Sequence, residues 1–455
     1  MRINPIDNVE VDLTTGHKKA LADISNGEKI IKYGMPIGLA ICNISLGEHV
    51  HTHNMKTLLN NIETYEYTPI MDPLEYTSPR TIMAYEREDG QIGIRNEIWI
   101  IATVGCINKT VERLAKMTGA KAITHPYGCS QLGGDLLTTQ KLLAGLVHHP
   151  NAGGVLVYGL GCENNTVDSF KQVLKDFNPK RVKFVYGQLS DNDIEESIEK
   201  INELKEYAAQ FKRTPQPISK LKVGLKCGGS DGYSGLSANP LVGMFSDSLI
   251  SQGGSTALTE VPEMFGAERL LMNRCIDVDI FNKTVDLINN FKRYFQKYDQ
   301  VIYDNPSPGN KEGGITTLED KSLGCIQKGG SARIVDVLDY GDPMIKKGLH
   351  LINGPGNDLV SITNLTAAGC QLILFTTGRG TPLGGLVPTI KIASNHSLAS
   401  RKAHWIDYDA SPILDGCDIK DDFFNFVVDV VNGKETLNEI NGYAELAIFK
   451  DGVTL

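Results

Sequence analysis

From about residue 81 onward, short apolar runs alternate with helical segments, and this alternation narrows the architecture more than any other feature of the chain. The runs Ile98–Val104, Ala122–Thr124, Val155–Tyr158, Val182–Tyr186, Leu221–Leu225, Arg333–Leu338, Leu349–Ile352, Leu372–Phe375 and Pro388–Ala393 read as buried strands. Asn108–Met117, Val167–Asp176, Asp193–Gln210 and a long stretch from Gly266 towards Tyr298 read as helices between them. Such a pattern belongs to a mostly parallel α/β sheet. Residues 1–70 differ, with short β-prone runs (Val9–Leu13, Glu28–Lys32, Ile37–Ile41) punctuated by Gly16, Gly27, Gly34 and Gly47, as in a small all-β unit. Pro69, Pro73 and Pro79 mark residues 71–80 as a linker. The expected fold class is therefore α/β: a small N-terminal all-β domain (1–70), then a large α/β domain (81–455). Pro215 and Pro217 interrupt the pattern, and a division near 213–219 would give two Rossmann-like halves.

The charge balance excludes some functions. Lys+Arg 45 against Asp+Glu 54 leaves a net charge of −9, which disfavours a nucleic-acid or anionic-membrane binder. No apolar stretch approaches the ~20 residues of a membrane span, and the first residues do not read as a signal peptide. Nine Cys without a secretion signal read as reduced thiols, so the expected compartment is the cytoplasm.

The residues that follow the strands carry the chemistry. The runs Gly105-Cys106-Ile107-Asn108, His125-Pro126-Tyr127-Gly128-Cys129, Gly159-Leu160-Gly161-Cys162-Glu163-Asn164-Asn165, Cys227-Gly228-Gly229-Ser230-Asp231, Thr376-Thr377-Gly378-Arg379-Gly380 and Ser394-Asn395-His396 each begin where a strand ends. Carboxyl ends of parallel strands share one edge, where ligands bind, so these loops are expected to converge on one pocket. Free Cys is commonly just buried, yet Cys129, Cys162 and Cys227 are all flanked by Gly at strand ends. No Cys-x-x-Cys pair is present, which argues against a structural zinc site. His49-Val50-His51-Thr52-His53 read as a strand would put three imidazoles on one side, a set suited to Fe(II), Mn(II) or Zn(II). His148 and His149 read instead as solvated residues at a helix C-terminus. The rigid, polar segment Asn305–Gly314, with Arg379 and Arg95, supplies cations able to hold a carboxylate. Thr259–Glu263 and Gly356-Asn357-Asp358 add carboxylates. Neither a Walker A loop nor a Gly-x-Gly-x-x-Gly dinucleotide fingerprint appears in the right setting.

Taken in order, several of these segments resemble the altronate/galactarate dehydratase family of sugar-acid lyases. They are Gly47–Asn54, Arg87-Glu88-Asp89-Gly90 with Gly93-Ile94-Arg95-Asn96, Gly159–Asn165, Cys227–Asp231, Leu258–Glu263, Asn305–Asn310 and Thr376–Gly380. The His-x-His-x-His run is more similar to the altronate branch than to the galactarate one. The resemblance implies an N-terminal SAF-type β-clip domain and a larger C-terminal α/β domain. It also implies a divalent metal, usually Fe(II), with Mn(II) an alternative, and dehydration of an aldonate or aldarate to a 2-keto-3-deoxy acid. A small-molecule sugar acid is then the partner, nucleic acid and membrane are not, and a homo-oligomer is the default expectation.

That chemistry needs a base for the C2 proton, an acid for the departing 3-hydroxyl, and positive charge to offset the enediolate. Candidate acids and bases are His125, Tyr233, Lys311 and His396. Candidate substrate contacts are Arg95, Asn165, Ser230, Asp231, Asn310 and Arg379. The expected metal ligands are His51, His53 and Glu163, provided the small domain folds over the strand ends of the large one. An alternative is an iron–sulfur cluster on Cys129, Cys162 and Cys227. Two other activities stay open: a related lyase acting on galactarate or sulfolactate, and a non-catalytic sugar-acid binding protein.

Overall fold

The computed structural model describes every residue except 61, 71 and 73, so Pro73 and part of the expected 71–80 linker lie outside the described residues. The N-terminal region holds six short strands: β1 (Val9–Val11), β2 (Lys18–Ala20), β3 (Lys29–Lys32), β4 (Met35–Ala40), β5 (His49–Val50) and β6 (Met55–Lys56). They form two three-stranded sheets, β1-β2-β5 and β3-β4-β6. Alternate residues point inward, as in β3, where Ile30 is buried beside exposed Lys29. Val9, Ile24, Ile30, Ile37, Ile44 and Val50 fill the interior of this small unit.

Next come β7 (Thr81–Glu86), β8 (Ile92–Gly93), β9 (Glu97–Ala102), β10 (Lys121–Ile123), β11 (Ala152–Gly159) and β12 (Val182–Tyr186). Strands β9 to β12 form a four-stranded parallel sheet in the order β10-β9-β11-β12. Every residue of β11 is buried, because helices cover both faces of a parallel sheet. β13 (Arg213–Pro217) runs back to pair antiparallel with β7, in a small sheet that β8 completes. Pro215 and Pro217, which break the sequence pattern, therefore sit in an edge strand, where a missing N–H is tolerated.

The remaining strands are β14 (Lys222–Cys227), β15 (Ser255–Leu258), β16 (Ile334–Leu338), β17 (Gly348–Ile352), β18 (Leu372–Thr377), β19 (Thr389–Ala393) and β20 (Tyr408–Asp409). They make a seven-stranded parallel sheet, β16-β17-β15-β14-β18-β19-β20. The chain is thus α/β with a small β-rich unit in front, as the alternation requires. No helix of the described residues is long and apolar enough to cross a membrane.

The small unit is pinned to the C-terminal region by buried charge. Lys18 donates to Asp320 at 2.7 Å and Lys32 donates to the same carboxylate at 2.9 Å, all three side chains lying almost fully out of solvent. Burial alone would raise the Asp320 carboxyl, but the two ammonium groups hold it well below the usual carboxylate range. Backbone contact is equally close: a Cβ on Gly232 or Gly314 would fall 1.9 or 2.3 Å from the Gly16 carbonyl oxygen. Only glycine permits that approach.

Candidate active site

Docking brings the histidine run onto the carboxyl-end loops of the seven-stranded sheet. His51 Nε2 lies 2.9 Å from the Lys311 carbonyl oxygen, and the Tyr233 hydroxyl donates to the Leu13 carbonyl at 3.1 Å. The condition that the small unit cover the strand ends is met. The run itself is not one extended strand. After His49-Val50 the chain turns, with Asn54 Oδ1 accepting from the His51 N–H, and the turn gathers the rings instead. His49 is 5.5 Å from both His51 and His53 between ring centroids, and His17 joins at 5.0 Å from His49. Burial, then the neighbouring imidazoles, hold His49 down to about 4, so it is neutral at physiological pH.

Opposite the imidazoles lies the loop after β14. Asp231 accepts from Ser234, Ser394 and Asn395, which ties the ends of β14 and β19 together. Burial pushes the Asp231 carboxyl up against those hydrogen bonds. Asn310 donates to the Ser230 carbonyl at 2.8 Å and takes part in a capping box with Ser307. Arg379 is half exposed and pairs only with the exposed Glu312, at 3.1 Å. Lys311 carries an amine with no hydrogen bond among the described residues. Tyr233, raised by burial and then by Asp231, keeps its proton near neutrality. His396 lies at the rim, largely exposed, with Nδ1 2.9 Å from Asp409.

Other nominated residues are taken up elsewhere. His125 is buried with Nε2 2.9 Å from the Ala102 carbonyl and Nδ1 accepting from the Tyr127 N–H, so neither ring nitrogen is open to a substrate. Burial holds this imidazole down to about 4. The Glu163 carboxylate receives Thr103 Oγ1 and the N–H groups of Leu160 and Gly161, which makes it the brace of its own turn rather than a partner of His51. Asn165 is used up by Thr103 and Gln140. Arg95 forks onto Glu439 and reaches backbone carbonyls of Ile94, Val430 and Lys434. Cys129 and Cys162 are exposed on loops of the four-stranded sheet, whereas Cys227 is buried against Cys325, so the three do not present one cluster face. His149 is buried rather than solvated, stacked on Trp99 with Nε2 3.0 Å from the Cys370 carbonyl.

Two donor sets lie in this region. The four imidazoles are chemically suitable, but no three of their nitrogens lie within 4.8 Å of one another; the one such donor group among the described residues is Cys227, Glu263 and Cys325. Around that trio runs a buried ionic network. Lys321 contacts Glu263 at 2.9 Å, Lys328 contacts Glu260 at 3.1 Å, and Lys226 bridges Glu260 and Asp358. Burial pushes the Glu263 carboxyl up, yet Lys321, Lys226 and Lys328 outweigh it and hold the group at about 2. Sequence reasoning noted Glu260 and Glu263 only as carboxylates and missed His17, Cys325 and the lysines. Lysine inside an apolar strand was the available signal, in Leu225-Lys226-Cys227 and again in Ile390-Lys391-Ile392. Lys391 Nζ has no hydrogen-bond partner among the described residues, sits 3.4 Å from the Phe375 ring centroid, and is held down to about 7 by burial.

Comparison with known proteins settles the lineage. Residues 2–58 match the altronate/galactarate dehydratase SAF domain, 84–209 the second domain of D-galactarate dehydratase/altronate hydrolase, and 218–454 the D-galactarate/altronate dehydratase C-terminal domain. The chain belongs to the altronate/galactarate dehydratase family. Within this family it is 50% identical to the altronate dehydratase of Escherichia coli (strain K12), over 99% of this chain and 95% of that protein. It is 51% identical to the altronate dehydratase of Bacillus subtilis (strain 168), over 98% of this chain and 93% of that protein. Galactarate dehydratase (L-threo-forming) of Escherichia coli (strain K12) is 32% identical, over 95% of this chain and 89% of that protein. The chain therefore stands nearer the altronate branch, and by family it is an enzyme of the hydro-lyase class.

Proposed function

We propose that this dehydratase acts on an altronate-type aldonate and forms the 2-keto-3-deoxy acid at the seam between the small unit and the seven-stranded sheet. The observation that carries this reading is one seam between the small unit and the sheet, where His51 reaches the Lys311 carbonyl, Tyr233 reaches Leu13, and Asn310 holds the Ser230 carbonyl. Arg379, tied only to an exposed carboxylate, is free to take the substrate carboxylate in bidentate fashion. The amine of Lys311 takes the C2 proton; the Tyr233 hydroxyl gives its proton to the departing 3-hydroxyl, which leaves as water. The resulting enol ketonises to the product. Ser230 and Asn310 fix the loop on which the sugar hydroxyls rest, and Asp231 keeps the β14 and β19 ends in register.

Metal dependence, with Fe(II) or Mn(II), is part of the same proposal. His51 and His53, with His49 and His17 beside them, are the imidazoles that would hold the ion. When bound there, a divalent ion supplies charge that offsets the enediolate.

The test is an anaerobic screen of aldonates and aldarates with Fe(II), Mn(II) and Mg(II), scored for 2-keto-3-deoxy acid, with sulfolactate included and sulfite assayed. Altronate turnover above all other substrates is expected. Preferred turnover of galactarate, sulfite release, or binding without turnover would replace this reading.

A further inference from the structure

The trio beneath the substrate loop stands apart from the seam histidines. Cys325 Sγ lies 3.1 Å from Glu263 Oε2, Cys227 Sγ lies 3.5 Å from the same oxygen, and the two sulfurs are 3.3 Å apart. Tetrahedral coordination at ordinary metal–sulfur and metal–oxygen lengths places such donors ~3.6–3.8 Å apart. Each edge of the triangle thus needs about half an ångström of expansion or less.

Room for a fourth ligand adjoins it. A cavity of about 10 Å³ is lined by Thr259, Glu260, Glu263, Cys325 and Lys328, which is about the space of one water. Thr259, buried, lines this cavity, and its Oγ1 has no hydrogen-bond partner among the described residues. An unpaired buried hydroxyl is costly unless something meets it.

Charge points the same way. Lys226, Lys321 and Lys328 are matched by Glu260, Glu263 and Asp358 in the buried network. Exchange of two thiol protons for one divalent cation leaves that balance unchanged. Two thiolates with a carboxylate select zinc or iron(II) over magnesium or calcium.

We infer that Cys227, Cys325 and Glu263 form a site for one thiolate-binding divalent ion, with the fourth position open to the cavity beside Thr259. The ion displaces one proton from each thiol, and both protons pass to solvent. Its place is structural as well as chemical: Lys321, which holds Glu263, also reaches Asn305 and Asn310, and Asn310 holds the Ser230 carbonyl. An ion there would brace the substrate loop from below. The inference does not depend on which sugar acid is turned over.

The experiment titrates Co(II) into the full-length, metal-stripped protein under anaerobic conditions, without substrate. Expected is one Co(II) per chain with thiolate-to-cobalt charge-transfer absorption, apart from any ion on the seam histidines, and release of two protons as that thiolate site fills. Cys325→Ser is expected to cut the absorption by about half or more, as one of two thiolates is lost, and to weaken Co(II) by more than the roughly 10–100-fold that losing an outer partner costs. The double substitution His51→Ala with His53→Ala is expected to keep it. Absence of the band in wild type overturns the inference, as does its survival at full intensity in a folded Cys325→Ser protein. Should Cys325→Ser fail to fold, the wild-type band and proton count decide the matter alone, and Glu263→Gln supplies the second variant, with weakened Co(II) expected and undiminished affinity counting against the site.

Discussion

The two parallel sheets of this chain begin from the same local design and end differently. Each strand end of the four-stranded sheet runs into a loop carrying thiol, imidazole or carboxylate, as do several in the seven-stranded sheet. In the first, the imidazole, carboxylate and amide bind within their own loops while the thiols face solvent: His125 binds backbone on both ring nitrogens, Glu163 braces its own turn, and Asn165 spans Thr103 and Gln140. In the second, the loops meet a foreign surface, the small unit, which the Lys311 carbonyl and the Tyr233 hydroxyl touch directly. A polar residue in a strand-end loop is therefore not a site until its partners are counted.

That contrast can be broken in four places. The largest effect is expected from Asp320→Ala, which strands the buried ammonium groups of Lys18 and Lys32. Loss of one partner from a buried ionic cluster costs about 3–5 kcal/mol, visible as a lower denaturant midpoint and as early proteolysis between the small unit and the rest. The pH profile follows in sign. Because the Asp320 carboxyl is depressed in the folded protein, its stabilising contribution is full above the unfolded value of about 4 and fades as pH falls below it.

Next is a paired substitution across the two sheets. Lys311→Ala is expected to lower kcat by roughly 10²–10⁴-fold with the melting temperature nearly unchanged. His125→Ala is expected to do the reverse, costing about 1–3 kcal/mol of stability while kcat per folded molecule is kept. A large kcat loss in His125→Ala with full stability would erase the distinction drawn between the sheets.

Smaller again is Arg379→Ala. Loss of charge-assisted hydrogen bonds to a carboxylate, about 1.5–3 kcal/mol, should appear mainly as a raised KM for the sugar acid. The smallest effect concerns His49, whose folded value near 4 lies below the unfolded 6.5. The unfolded chain binds the extra proton between those values, so stability rises with pH across that window. His49→Gln should flatten this slope in a melting series, and an unaltered slope would show that the ring cluster is more solvated than the seam geometry makes it.

Much of the fold was legible because burial leaves a local trace. Val182–Tyr186 is recovered residue for residue, and the strands expected at 155–158, 372–375 and 388–393 appear with ends shifted by a few positions. β13 escaped notice because its two prolines read as a break, and only its pairing with β7 makes it a strand. The histidine run was visible as a run, but its turn at His51 and its fourth ring, His17, depend on contacts between β2 and β5. Glu263 was seen as a carboxylate; that it shares a donor triangle with Cys227 and Cys325 was not, since 98 residues separate the two thiols.

Sequence by itself determined the alternation, the small β-rich unit, the acidic balance and the ordered motifs of the family, because each is written in residues close along the chain. Tertiary structure alone decided which polar groups stay open. Hydrogen-bond capacity is finite, and whether a side chain has spent it on its own loop depends on neighbours that only folding brings within 3 Å or so. Glu163 and Lys311 looked alike as candidates; the first is fully committed to its turn, and the amine of the second has no hydrogen bond among the described residues.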